Sequence, residues 1–95
     1  MAQYIPLTSN PEETYRLRID EILYQFRQLW NTLGFWTVDI FDTDGAVLVY
    51  GVKLIAKEYL LKQYPHISFD LYSLAENDPG RNDLLDFKLE VIEKT

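Results

Sequence analysis

The stretch from Leu29 to Leu54, LWNTLGFWTVDIFDTDGAVLVYGVKL, confines the fold of this chain more than any other. Trp36, Val38 and Ile40 alternate with Thr37 and Asp39, a period of two that marks a strand with one wet face. Turn chemistry follows at Asp42-Thr43-Asp44-Gly45, where carboxylates can accept nearby backbone N–H bonds and glycine can take positive φ. Ala46 to Tyr50 is strand-forming again. Gly51 then interrupts it where a bulge or a close backbone approach is expected. This hairpin predicts a largely β domain and carries no chemistry of its own.

Ninety-five residues allow one domain, spanning 1–95, with one core. A hydrophobic content of 47% is ample for a globular fold and argues against disorder. Two Trp, seven Tyr and five Phe exceed what a core of this size needs. Two readings of the surplus stand equal: aromatics at protein interfaces, and strand faces that favour aromatics anyway.

Fifteen acidic residues against nine basic ones give a net charge of −6. Phosphate backbones and anionic membranes call for basic clusters, and Arg16, Arg18 and Arg27 are spread along one segment rather than blocked together. Neither nucleic acid nor membrane is therefore expected as a partner. No apolar run reaches the length of about 18 residues that a membrane-spanning helix needs. Met1-Ala2-Gln3-Tyr4 lacks the charged and apolar regions of a signal peptide. Without cysteine there are no disulfides and no thiolate metal sites, as suits a reducing cytoplasm.

Catalytic signals are thin, and no cofactor is expected. Asp42-x-Asp44-Gly45 looks like half a calcium loop, but the twelfth position, where a bidentate Glu would sit, is Lys53. Solvated turn residues are the better reading. His66 is the only histidine, so one chain cannot supply two imidazoles to a metal. Ser9, Ser68 and Ser73 sit in no nucleophile motif, and the four glycines are isolated rather than grouped into a phosphate-binding loop. The expectation is a non-enzyme.

Residues 10–33 support two incompatible readings. As a helix, Ser9 or Asn10 caps, Pro11 starts, Glu12 and Glu13 meet the positive end, and Gly34 stops it. Tyr15, Ile19, Ile22, Leu23, Phe26, Leu29, Trp30 and Leu33 then form one stripe. As strands, Tyr15, Leu17 and Ile19 alternate with Arg16, Arg18 and Asp20, a turn falls at Asp20-Glu21, and alternation resumes from Ile22 to Arg27. Pattern alone favours the helix. Further on, Ala56 to Tyr64 reads as a short helical turn or an irregular crossover ended by Pro65. Ile67 to Leu74 alternates as a strand, Glu76 to Asp83 is a polar loop, and Phe87 to Ile92 alternates as a last strand.

The order Ile5-Pro6-Leu7, Trp30-Asn31, Trp36-Thr37-Val38-Asp39-Ile40-Phe41-Asp42, Asp44-Gly45 and Gly51-Val52-Lys53-Leu54 resembles the phage baseplate plug family. Leu60-Leu61, Tyr64 and Asp83-Leu84-Leu85 before a closing strand fit the same pattern, so the resemblance runs from about Ile5 to Ile92. It implies strands over 10–33 and, with them, a mainly β fold. The expected architecture is a small antiparallel β-sandwich or partly open barrel with tight hairpins and at most a short helix. Leu17, Ile19, Val38, Ile40, Leu48, Leu54, Phe69, Leu71, Leu89 and Val91 are its expected core.

The resemblance also implies a structural protein of a contractile phage-tail baseplate, assembled in the host cytoplasm. Its partners would be hub, tail-tube or wedge proteins, with several copies in a threefold or sixfold arrangement. The expected contact residues are Tyr4, Ile5 and Leu7, on a segment 1–9 that can act as a docking arm. Pro6 bars regular central-strand pairing there, so these side chains either latch onto the chain's own core or extend onto a neighbour. Trp30 and Trp36 are expected to pair across adjacent strands, with at least one also touching a neighbouring subunit. Two other classes stay open: a small acidic adaptor or chaperone for a basic partner, and a small-molecule-binding barrel.

Overall fold

Residues 10–33 are strands. In the computed structural model, which describes residues 3–94, β2 (Glu12–Ile19) and β3 (Ile22–Asn31) form a hairpin closed by Asp20 and Glu21. Both turn residues take positive φ, 51° and 69°, the conformation a two-residue hairpin turn requires. The helical stripe is thus overruled by the period-2 split. Leu17, Tyr24 and Phe26 face inward, while Arg16, Arg18, Gln25 and Arg27 face out.

β4 (Phe35–Phe41) and β5 (Val47–Lys53) follow as the hairpin read from the sequence. Its turn is built on Asp42, whose Oδ1 accepts the N–H groups of Asp44 and Ala46, both at 2.9 Å. Gly45 sits at φ 85°, where a Cβ would be strained. Between the pairs Val38↔Val52 and Ile40↔Val49, Tyr50 and Gly51 oppose Asp39 alone, so the bulge expected at Gly51 is present. Asp39 Oδ1 accepts the Gly51 N–H at 2.7 Å and satisfies the group that the bulge frees. The extra residue re-phases the strand, so Val49 and Val52 point inward and the expected core residue Leu48 is only half-buried.

Together these strands make an antiparallel sheet in the order β2-β3-β4-β5. A second sheet, ordered β1-β7-β6, packs against it from β1 (Gln3–Tyr4), β6 (Phe69–Tyr72) and β7 (Glu90–Glu93). Tyr24 meets Phe69 edge-on at 5.1 Å and Phe26 lies 6.4 Å from the same ring, which joins the two sheets across the core. The architecture is a two-sheet sandwich, with no closed barrel among the described residues.

Of the expected core, Ile19, Val38, Ile40, Leu54, Phe69, Leu71 and Leu89 are buried, and Leu17 and Val91 join Leu48 at its half-buried rim. The last strand is shorter than its alternation suggests. Lys88 takes φ 51° and a 3-10 turn, Leu84–Asp86, precedes it, although Phe87 and Leu89 remain buried. Residues 56–64 form turns that run beside β6. Leu60 N–H donates to Leu71 O at 3.1 Å, Lys57 N–H to Ser73 O at 2.9 Å, and Leu61 N–H to buried Asp70 at 2.7 Å. That segment caps the outer edge of β6.

Candidate functional site

The N-terminal segment is fastened to the sandwich along its length, and Ile5 and Gln28 are central to this. Ile5 is buried, and its N–H donates to Leu89 O at 2.9 Å, extending the β1–β7 ladder by one rung. Gln28, fully buried on the inner side of β3, holds the next few residues. Its Nε2 donates to Thr8 O at 2.9 Å, Thr8 Oγ1 at 3.1 Å and Asn10 O at 2.8 Å. Its Oε1 accepts from Thr8 N–H at 3.1 Å and the Tyr15 hydroxyl at 3.2 Å. Burial, with the Glu13 carboxylate nearby, pushes the Tyr15 phenol above its ordinary pKa of 10.0.

Between the two stated roles for Ile5, own core or neighbour, the structure places it in the chain's own core. Tyr4 and Leu7 sit on either side and reach the surface, Tyr4 at 50% exposure. With Pro6, Leu85 and Lys88 they line a groove of about 420 Å³. A second groove of about 290 Å³ shares Tyr4 and Lys88 and adds Tyr72 and Leu74, the latter 75% exposed. The two meet at Tyr4 and Lys88, and Asp86 and Glu90 add carboxylates to the second. Met1 and Ala2, the start of the expected 1–9 arm, lie outside the described residues.

Trp30 and Trp36 are cross-strand partners, with rings 5.4 Å apart at 61°. Their environments differ. Trp36 is fully buried, its indole N–H donates to Gly80 O at 2.7 Å, and the Arg81 guanidinium lies over its ring at 5.7 Å. It has no surface in this chain to offer a neighbour. Trp30 is half-buried at the rim, so of the pair it alone presents area outward.

The remaining candidates read as structural. Asp39 and Asp70, both 4% exposed, accept backbone N–H groups at bends in the chain. His66 contacts the carbonyl of Leu48 at 2.9 Å, on the outer edge of β5. Among the described residues, no group of three or more His, Asp or Glu is placed to hold a metal ion. An open depression of about 640 Å³ lies beside β5, lined by Val52, Ile55, Tyr59 and Tyr64 with Lys53, Glu58 and Lys62.

Sequence reasoning missed one feature of the surface. Arg16 and Arg18 share the outer face of β2, and Arg27 on β3 stands diagonally across from Arg16, since Gln25 is Arg16's partner. Residues spread along the sequence become neighbours about 7–8 Å apart once β2 and β3 pair. The two-residue spacing of Arg16 and Arg18 was the available signal.

Compared with models of known protein families, the chain matches the one described as cyanophage baseplate Pam3 plug gp18 over residues 2–92. No curated protein matches it.

Proposed function

We infer that this chain, which belongs to the cyanophage baseplate plug family, is a non-enzymatic structural subunit seated between larger proteins of a contractile-tail baseplate. Hub, tail-tube or wedge proteins are its neighbours, and several copies follow the threefold or sixfold symmetry of the tail. Assembly takes place in the host cytoplasm and the mature location is the virion tail. The family match over residues 2–92 carries this reading.

The shape suits the role. A rigid body of 31 × 25 × 24 Å can fill a gap between larger subunits. The apolar side chains of Tyr4, Leu7, Leu74 and Leu85 give it somewhere to be gripped, since clustered exposed apolar area marks a contact site. Trp30, half-buried at the sandwich rim, is the remaining tryptophan able to gain burial in an assembly.

Purified tails test this directly. Tyr4→Asp combined with Leu85→Asp changes two exposed side chains. The variant should melt within a few degrees of the parent yet be depleted from tails by quantitative mass spectrometry. Parental occupancy by the folded variant refutes the groove as the contact, and absence of the parental chain from tails refutes the baseplate role.

A further inference from the structure

We propose that the outer face of the β2-β3-β4-β5 sheet docks onto an acidic protein surface, that of a baseplate subunit other than a second copy of this chain; the proposal rests on the baseplate reading above. The face is uncovered. It carries four cations although the whole chain has a net charge of −6. Arg16 and Arg18 are exposed on β2, Arg27 stands diagonal to Arg16 on β3, and Lys53 projects from β5 opposite Thr37.

The two carboxylates that these strands turn to this face are both occupied, while Glu58 lines the same depression beside β5 as Lys53. Asp39 is buried against the Gly51 N–H, and Glu12 pairs with Arg27 Nη2 at 3.1 Å. Even so, Arg27 Nε is buried without a hydrogen-bond partner among the described residues, and Arg16 has no carboxylate beside it there. Arg16, exposed and in no salt bridge among the described residues, can offer its guanidinium fork to an incoming carboxylate, which accepts two N–H groups at once.

Aromatic side chains accompany the cations on this face. Lys53 Nζ lies 4.8 Å over the Phe35 ring, and Tyr50, 64% exposed, meets Phe41 edge-on at 6.1 Å. Arginine, tyrosine and phenylalanine together are the residues that protein interfaces concentrate. A nucleic acid is disfavoured because the acidic remainder of the chain repels a long polyanion. Carboxylates set in a protein surface meet only the face itself.

The test uses the full chain in purified tails. Water-soluble carbodiimide joins a lysine amine to a contacting carboxylate as an amide, the reagent leaving as its urea, so Lys53 reports what it touches. Mass spectrometry should find Lys53 coupled to an Asp or Glu of another baseplate protein. In parallel, Arg16→Glu with Arg18→Glu and Lys53→Glu should lower occupancy in tails by at least about ten-fold. The neutral set Arg16→Gln, Arg18→Gln and Lys53→Gln should give an intermediate loss at an unchanged melting temperature, which separates docking from misfolding.

Coupling of Lys53 to a carboxylate of a second copy, told apart by isotope-mixed tails, overturns the proposal. So does occupancy of the neutral set equal to the parent, or retention of the chain that nuclease treatment abolishes. Absence of the parental chain from tails overturns the baseplate reading and this inference with it. Parental chain present but indifferent to both variant sets overturns this inference alone.

Discussion

Gln28→Leu is the substitution that most directly probes how the N-terminal segment is held. Leucine fills a similar volume but can neither donate nor accept. It therefore strands Thr8 O, Thr8 N–H, Asn10 O and the Tyr15 hydroxyl, all now bonded to the Gln28 amide between 2.8 and 3.2 Å. Each group left unsatisfied in a buried setting costs about 1–3 kcal/mol. Asn10 is exposed and Thr8 half-exposed, so water replaces part of the loss there, whereas Tyr15 lies deeper. The sum is about 3 kcal/mol, which for a domain of this size lowers the melting temperature by roughly 12–24 °C. Urea unfolding followed by circular dichroism measures it, and hydrogen exchange should show residues 7–11 opening first. Tyr15→Phe removes one of the five bonds and should cost no more than about 1 kcal/mol. A Gln28→Leu loss as small as that of Tyr15→Phe would refute the amide as the clamp.

Glu21→Gly places glycine at φ 69° and should stabilise by about 0.5–1 kcal/mol in a denaturant titration, because the left-handed region costs a side-chain-bearing residue about 1–2 kcal/mol. Trp36→Phe leaves a void and an unpaired Gly80 carbonyl, so a loss of about 2–3 kcal/mol is expected, well beyond the 0.2–1 kcal/mol or so of a cross-strand pair alone. Ile40→Ala, at a fully buried position, should cost about 2–5 kcal/mol by the same titration. Burial raises the Tyr15 pKa above 10.0, so the folded state holds that proton longer than the unfolded chain; stability is intact below pH 10 and falls above it, and Tyr15→Phe should flatten the alkaline limb of a stability–pH curve.

The β4–β5 hairpin was legible because each of its signals is local: strict alternation, an Asp that bonds its own turn, and a glycine at positive φ. The β2–β3 hairpin was not legible from pattern. Leu23 and Leu29 occupy the outer face of a central strand, where neighbours half-cover them, so inner and outer positions do not separate by polarity. The turn that would betray the hairpin uses Asp20-Glu21 where glycine or asparagine is usual. Resemblance to the plug family, not periodicity, pointed to strands there. Leu60, Leu61 and Ile67 enter the core from irregular backbone, which has no period to read. At the contact surface, Tyr4 and Leu7 stood out beside a proline, but Leu74, Leu85 and Lys88 join them only through the pairing of β1 and β6 with β7.

That pairing bears on how the N-terminal segment can work. A docking arm that orders only on its target loses backbone and side-chain entropy at the moment of binding. Here Ile5 is fixed in the core and Gln28 grips Thr8 and Asn10, so Pro6 and Leu7 are bracketed by two anchors and Tyr4 is held in the β1–β7 ladder before any partner arrives. Their groove therefore exists in the free chain, and a partner meeting it gains apolar burial without ordering the segment. Loosening the clamp should weaken docking even though Gln28 itself is buried and touches no partner. Gln28→Leu should thus reduce occupancy in tails at a temperature where the variant is still folded, whereas Ile40→Ala, equally buried but away from the segment, should not at matched folded fraction. Equal occupancy of the two variants would show that the segment's rigidity plays no part in docking.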